Sequence, residues 1–365
     1  MPAESPSMDL AYPSFADASS GRIVLLADDL TGACDAAAAF LHTGRTVRVW
    51  FGLSVQFSAP ESVQAFTSNS RALSPSRAAQ VVSRAAAALG SNPNAFFFKK
   101  IDSACRGPVG AEVLAAHRAT ASRAVLFAPA FPSAGRTVRD GVLEIQDAAG
   151  QNQEVRLTGL FPLTIRHRIG LVSTPSELEP MLESGKTILL CDSETQADLE
   201  ALVRAAQNVP GLLYAGSAGL AQALASFNSG KQLPALVPPV ERTLLIAGSP
   251  HPATKLQLET LDSDRFSGVR VQTANVRFGA AARIRSAFRS HEPQALILTG
   301  GETALLAVHA LEAHSFILQG EISPGIPWGL IQGGAAHGCV VVTKSGGFGA
   351  PEAFNEILAA LQGRT

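Results

Sequence analysis

The stretch GRIVLLADDLTGACDAAAAFLHTG, residues 21–44, decides how the rest of the chain is read. Ile23 to Leu26 is a short apolar run of strand length that ends on two acids, Asp28 and Asp29. Cys34 to Leu41 is alanine-rich and reads as a helix, closed by Gly44, a residue free to turn left-handed where a helix ends. A second apolar run, Val47 to Phe51, follows at once. Strand, polar turn, helix, strand is the opening of a βαβ unit.

Working outward, the alternation continues. A helix spans Pro75 to Leu89 with Gly90 as its stop, a strand Phe96 to Phe98, a helix Val109 to His117 and a strand Val125 to Phe127. Further on come strand Ile188 to Cys191, helix Ala197 to Ala206, and strand Leu212 to Tyr214 leading into a helix from Ala218. Strands alternating with helices of this length imply right-handed crossovers and a mostly parallel sheet. Arg136 to Gln146, turning at Asp140-Gly141, reads instead as a β-excursion outside that sheet. Between Asn228 and Glu241 the residues Pro234, Pro238 and Pro239 with Gly230 can continue neither element type. After that break the α/β alternation restarts with strand Leu244 to Ala247 and closes with strand Val340 to Thr343 and helix Glu352 to Leu361. The expected architecture is α/β with two domains, each a mostly parallel sheet flanked by helices, and an active site in the cleft between them. The boundaries expected are a disordered tail over 1–20, a first domain over 21–228, a linker over 229–241 and a second domain over 242–365.

Composition narrows the function classes. At about 150 residues per domain, 365 residues make two domains. With 46% hydrophobic and only 16% charged residues, disorder over most of the chain is excluded. A net charge of -1 supplies no basic field for a nucleic acid. Mean hydropathy is +0.18, yet the longest apolar stretch, Leu212 to Phe227, is interrupted by Gly216, Ser217, Gly219 and Gln222. No membrane partner is expected. The four cysteines, Cys34, Cys105, Cys191 and Cys339, have no zinc or redox spacing and read as core thiols. Residues 1–20 contain no Lys or Arg, so no secretion signal is expected and the location expected is cytoplasmic.

Ligands of a parallel α/β sheet sit beyond the carboxyl ends of its strands. In the first domain those ends carry Asp28-Asp29, Ser70-Arg71, Lys99 to Ser103, and Arg106 just after. Singly, each has a plainer explanation: an acid pair caps a helix, a lysine pair is solvated, an arginine lies on the surface. Together they make the acids and cations of a site for a small polar anion. In the second domain Gly300-Gly301-Glu302-Thr303 follows one strand, Lys344 to Gly349 another, and Gly248-Ser249 a third. Glycine turns that open helices offer backbone N–H groups to phosphate. Neither a Walker loop nor the dinucleotide fingerprint is present.

The chain resembles the four-carbon acid sugar kinases. The matching text is ADDLTGA (27–33), KKIDS with Arg106-Gly107 (99–107), APAFPSAGRT (128–137), GSAGLA (216–221), GGETA (300–304) and KSGGFG (344–349). The resemblance implies an N-terminal domain for a tetronate-type acid and a C-terminal domain for ATP. It implies magnesium-assisted transfer of the γ-phosphoryl to the acid's terminal hydroxyl. By the same resemblance Asp28, Asp29, Arg71, Lys100, Asp102, Ser103 and Arg106 are substrate positions, and Ser249, Gly300, Gly301, Glu302, Thr303 and Gly346 nucleotide positions. Arg71, Lys100 and Arg106 are assigned to the substrate carboxylate and the transferring charge. One of Asp28, Asp29 or Asp102 is assigned as the base, and Glu302 to magnesium or the ribose. No metal-ligand set of the chain's own is expected, and assembly into a homo-oligomer is left open. With the reacting groups on separate domains, closure about the linker would assemble the site.

Two other classes are weighed. A haloacid-dehalogenase-like phosphatase also has acids after a strand, but it needs two aspartates separated by one residue, whereas Asp28 and Asp29 are adjacent. A non-catalytic sensor of sugar acid or nucleotide is disfavoured by the intact Gly-Gly-Glu-Thr turn.

Overall fold

The computed structural model describes residues 14–18, 21–53, 60–90, 95–146, 152–227, 235–262, 264–273 and 279–364. Eleven strands belong to the first half: β1 Arg22–Ala27, β2 Val47–Trp50, β3 Val63–Thr67, β4 Ala95–Lys100, β5 Ala124–Ala128, β6 Arg136–Arg139, β7 Val142–Gln146, β8 Asn152–Arg156, β9 Ile169–Val172, β10 Ile188–Cys191 and β11 Leu212–Gly216. Six belong to the second: β12 Thr243–Ala247, β13 Val269–Thr273, β14 Ala295–Thr299, β15 Ser315–Ser323, β16 Ile326–Gln332 and β17 Val340–Lys344. The central strands are buried along their whole length, as apolar runs covered by helices on both faces must be.

Fourteen strands form one sheet in the order β13-β12-β14-β17-β16-β15-β2-β3-β1-β4-β11-β5-β10-β9. Apart from β6–β8 in the first half and β15–β16 in the second, the strands of each half run parallel, in agreement with the α/β reading. The sequence reading has no strand between Glu312 and Val340. That region holds β15 and β16, which fuse the two parallel blocks into one sheet. Three antiparallel pairings in succession, β17 with β16, β16 with β15, and β15 with β2, reverse the strand direction from one block to the other. A flat sheet would then put the two sets of carboxyl ends on opposite edges. Twist of about 20–25° per strand accumulates to roughly a right angle over the five steps from β17 to β1. The β15–β16 register is also irregular between Leu318 and Gly320 and between Glu321 and Ser323, which bends the ribbon further. Both sets of strand ends therefore border one cleft.

The segment Arg136 to Gln146 does leave the main sheet, and β6, β7 and β8 form a separate antiparallel sheet. The expected disordered tail needs correction where it can be seen. Helix Phe15–Ala18 is docked, with Phe15 buried and its ring 4.8 Å from that of Phe96 and near those of Tyr214 and Phe227. Residues 1–13, 19 and 20 lie outside the described residues, as do 228–234 of the expected linker. The rest of that linker is strapped to the second half, with Ala235 donating to the Gln319 carbonyl and Val240 to that of Leu361.

Candidate active site between the two strand blocks

Helix Leu30–Ala38 begins directly at the end of β1 because Asp29 caps it, accepting the Gly32 amide at 2.7 Å. The capping role and the site role of this acid thus coincide. Arg71, in the loop after β3, reaches back to both acids. Its Nε and Nη2 donate to the two oxygens of Asp28, at 2.7 and 3.0 Å, and its Nη1 donates to Asp29 at 2.5 Å. Asp102, beyond β4, takes the same kind of fork from Arg106, with Nε and Nη2 each at 2.7 Å. Burial alone would raise the Asp102 carboxyl, but the Arg106 hydrogen bonds and the Arg71 charge outweigh it and hold the group far below the usual carboxylate range. Asp29 goes the other way: burial raises it despite the charge of Arg71.

These ties change the roles expected from sequence. Asp28 has both oxygens occupied by one guanidinium, and Arg71 is committed to carboxylates of the protein itself. Lys100 is buried with its ammonium on the Ile101 carbonyl at 2.7 Å, and it forms no ion pair among the described residues. Its neighbour Lys99 points to the opposite face and pairs with the buried Glu112 at 2.8 Å.

Across the cleft, Gly300 follows β14 with φ 90° and helix Gly301–Ala310 begins. The first-turn amides of Gly301, Glu302 and Thr303 have no intrahelical acceptor. The turn after β17 is held from behind. Lys344 donates to the carbonyls of Ser345 and Phe348, Thr254 to that of Gly346, and Gln257 to those of Phe348, Gly349 and Ala350. With its carbonyls drawn inward, the turn leaves the Gly346 and Gly347 amides without an acceptor among the described residues. Ser249 sits between the two turns, so close that a Cβ on Gly346 would overlap its hydroxyl. Pro250-His251-Pro252, which follows it, starts a helix: His251 caps Pro252–Glu259 and Pro252 takes the first turn, where its missing N–H costs nothing.

The two walls already touch. Ser345 Oγ lies 3.1 Å from Thr31 Oγ1, a Cβ on Gly301 would stand 2.5 Å from Asp29 Oδ2, and the Phe348 ring packs against the Phe131 ring and the Arg136 guanidinium. The cleft between them has a volume of about 570 Å³. Asp29, Arg71, Lys100, Asp102, Ser103, Arg106, Ser249, Gly300, Gly301, Glu302, Thr303 and Gly346 all line it. Asp28 does not; it lies behind Arg71.

Sequence reasoning assigned no role to Thr31, Asp35 or Arg136, which also line the cleft. Asp35 follows Thr31 by one helical turn, and that spacing was the available signal. Arg136 comes from the excursion, on β6. Its Nη1 donates to the Ala134 carbonyl, its Nε is buried without a partner, and no carboxylate pairs with it among the described residues. Three of the four thiols are buried, and burial pushes all four up toward the neutral form. No described helix is long and apolar enough to cross a membrane.

A family model described as a sugar-binding N-terminal domain matches residues 23–224, and one described as a nucleotide-binding C-terminal domain matches residues 276–354. The D-threonate kinase of Bordetella bronchiseptica is 29% identical over 94% of this chain and 98% of its own length. The 3-oxo-tetronate kinase of Cupriavidus necator is 25% identical over 93% of this chain and 96% of its own. A crystal structure of a Haemophilus influenzae protein, 20% identical, has the same fold with a TM-score of 0.65 over 93% of this chain and 100% of that one.

Proposed function

The chain belongs to the four-carbon acid sugar kinase family, and from that premise we propose that it transfers the γ-phosphoryl of ATP to the terminal hydroxyl of a four-carbon sugar acid. One observation carries the reading. Two cations without an ion pair among the described residues, Lys100 and Arg136, face acceptor-less amides on the other wall, at Gly301 to Thr303 and Gly346-Gly347, across a cleft of small-molecule size.

Phosphoryl transfer is catalysed mainly by positioning and charge neutralisation, and the residues divide accordingly. Lys100, Arg136 and the free Nη1 of the exposed Arg106 hold the acid's carboxylate, with Ser103 beside them. Arg71 holds Asp28 and Asp29 in place instead of reaching the substrate. The amides of Gly301, Glu302, Thr303 and Gly346 receive the phosphates, and Ser249 spaces the two turns. Among the described residues no cluster of three or more His, Cys, Asp or Glu could hold a metal. The described residues therefore offer magnesium no cage of their own; the ion would enter on the phosphates of the nucleotide, and the roles given to these side chains do not depend on it.

A coupled assay of ATP turnover over D-threonate, L-threonate, D-erythronate and the 3-oxo-tetronates tests this. Turnover on at least one acid is expected. Tight binding of an acid with no turnover on any would identify a sensor instead.

A further inference from the structure

The three aspartates that the sequence suggests as base are all committed. Asp28 and Asp102 each take an arginine fork, and Asp29 takes Arg71, the Gly32 amide and the Thr31 hydroxyl. A group that must accept a proton during turnover needs a free lone pair within reach of the substrate. Two carboxyls in the cleft wall have no hydrogen bond or ion pair among the described residues: Glu302, which is exposed, and Asp35, which is buried.

Asp35 stands where the reaction would take place. It projects from helix Leu30–Ala38 one turn beyond Thr31, whose hydroxyl meets Ser345 at the start of the phosphate-side turn. Its Oδ1 lies beside Gly325, in the β15–β16 turn, and Gly325 is in turn covered by the ring of Phe348. The charged groups around it are Lys100 from β4, Arg136 from β6, Asp29 from its own helix cap and Glu321 from β15, the last facing His42 at 3.9 Å. Resting on the kinase reading, we propose that Asp35 is the catalytic base, the carboxylate that takes the proton of the attacking hydroxyl.

In that step the hydroxyl oxygen forms a bond to the γ-phosphorus of the nucleoside triphosphate while its proton passes to Asp35. The bond from that phosphorus to the β,γ-bridging oxygen breaks, and the nucleoside diphosphate leaves with the electron pair. Asp35 then releases the proton to solvent. Burial, partly offset by Lys100 and reinforced by Glu321, raises Asp35 to about 7, where a base serves a reaction at neutral pH.

The test is steady-state kinetics of the full chain with the acid that the coupled screen identifies. Asp35→Asn is expected to lower kcat by about 10²–10⁴-fold with KM for the acid and calorimetric nucleotide affinity within threefold of the parent. In the parent, log kcat should rise with unit slope below about pH 7, and the residual rate of Asp35→Asn should lose that limb. Glu321→Gln, which keeps the acceptor for the Gly325 amide, should move the limb to lower pH and leave the plateau unchanged. A parent that turns over while Asp35→Asn keeps kcat within threefold overturns the assignment. So does an Asp35→Asn rate restored by raised magnesium, which would make the residue a metal ligand. A parent inactive on every acid would strike at the kinase reading itself, a separable outcome.

Discussion

Arg71 and Arg136 have the same chemistry and opposite circumstances. Arg71 answers three carboxylates, Asp28, Asp29 and, at 3.5 Å, Asp102. Arg71→Ala should therefore act first on stability: it strands buried negative charge, at about 3–5 kcal/mol, and chemical denaturation should show the loss. Arg136 answers none, so Arg136→Ala should leave the denaturation midpoint nearly unmoved and raise KM for the acid by about one to two decades. Arg136→Lys should recover only part of that, because a lysine cannot make a bidentate contact with a carboxylate. Equal KM effects from Arg71 and Arg136 would contradict this division. Asp35 allows a stability test that needs no substrate. Its carboxyl keeps its proton in the folded chain up to about pH 7, whereas the unfolded group releases it near 3.8. Folded-state stability is then fully present below pH 3.8 and is lost as pH rises to about 7, by roughly 4 kcal/mol at the plateau. Asp35→Asn removes the titration. Its melting temperature should match the parent's at pH 3.5 and exceed it increasingly up to pH 7; a constant offset would mean an ordinary pKa for this group.

At the scale of elements, the glycine turns are more constrained than their sequence suggests. Read as phosphate cradles, Gly301 and Gly346 need to be small for a ligand; in the structure they are small for the protein. Asp29 closes on Gly301, and Ser249 on Gly346. Gly346→Ala should thus destabilise the chain in the absence of any nucleotide, and adding Ser249→Gly should restore much of the loss. A double-mutant cycle with a coupling energy near zero would refute the contact. The strand-end clusters were legible because a parallel sheet sends every ligand to the same edge, whichever strand supplies it. Which aspartate is free was not legible, since it depends on Arg71 reaching back to Asp28 and Asp29 from a loop 43 and 42 residues further on, although the Arg106 fork on Asp102 is only four residues away. Arg136 was hidden for a related reason: β6 belongs to the small separate sheet, and only the packing of that sheet over the cleft brings the guanidinium in.

Across the whole molecule, the α/β class and most strands of both parallel blocks could be read from alternation, because a βαβ step is local; the edge strands β9 and β13 were not read. The joint between the two blocks could not be read either. β15 and β16 carry short, glycine-interrupted apolar runs, and β2, the strand that β15 pairs with, is remote; remote pairing leaves no periodic trace. The joint is well made: Arg48 on β2 donates to Ser315 on β15 at 2.9 Å and pairs with Glu61 at 2.6 Å. It also means that opening of the cleft must bend a continuous sheet and cannot simply swing on the linker. The same joint has a history in time. Arg48 and Ser315 are 267 residues apart, and at about 5–20 residues per second the ribosome takes roughly 13–50 s to deliver the second after the first. For that interval β2 is an open edge with no neighbour on one side, an exposure that any newly made copy passes through before it can hold its shape. Chains halted before Ser315 should protect the amides of β1 and β4 from hydrogen exchange and leave the outward-facing amides of β2 unprotected. Early protection there would mean that some other strand shields the edge while the rest of the protein is being made.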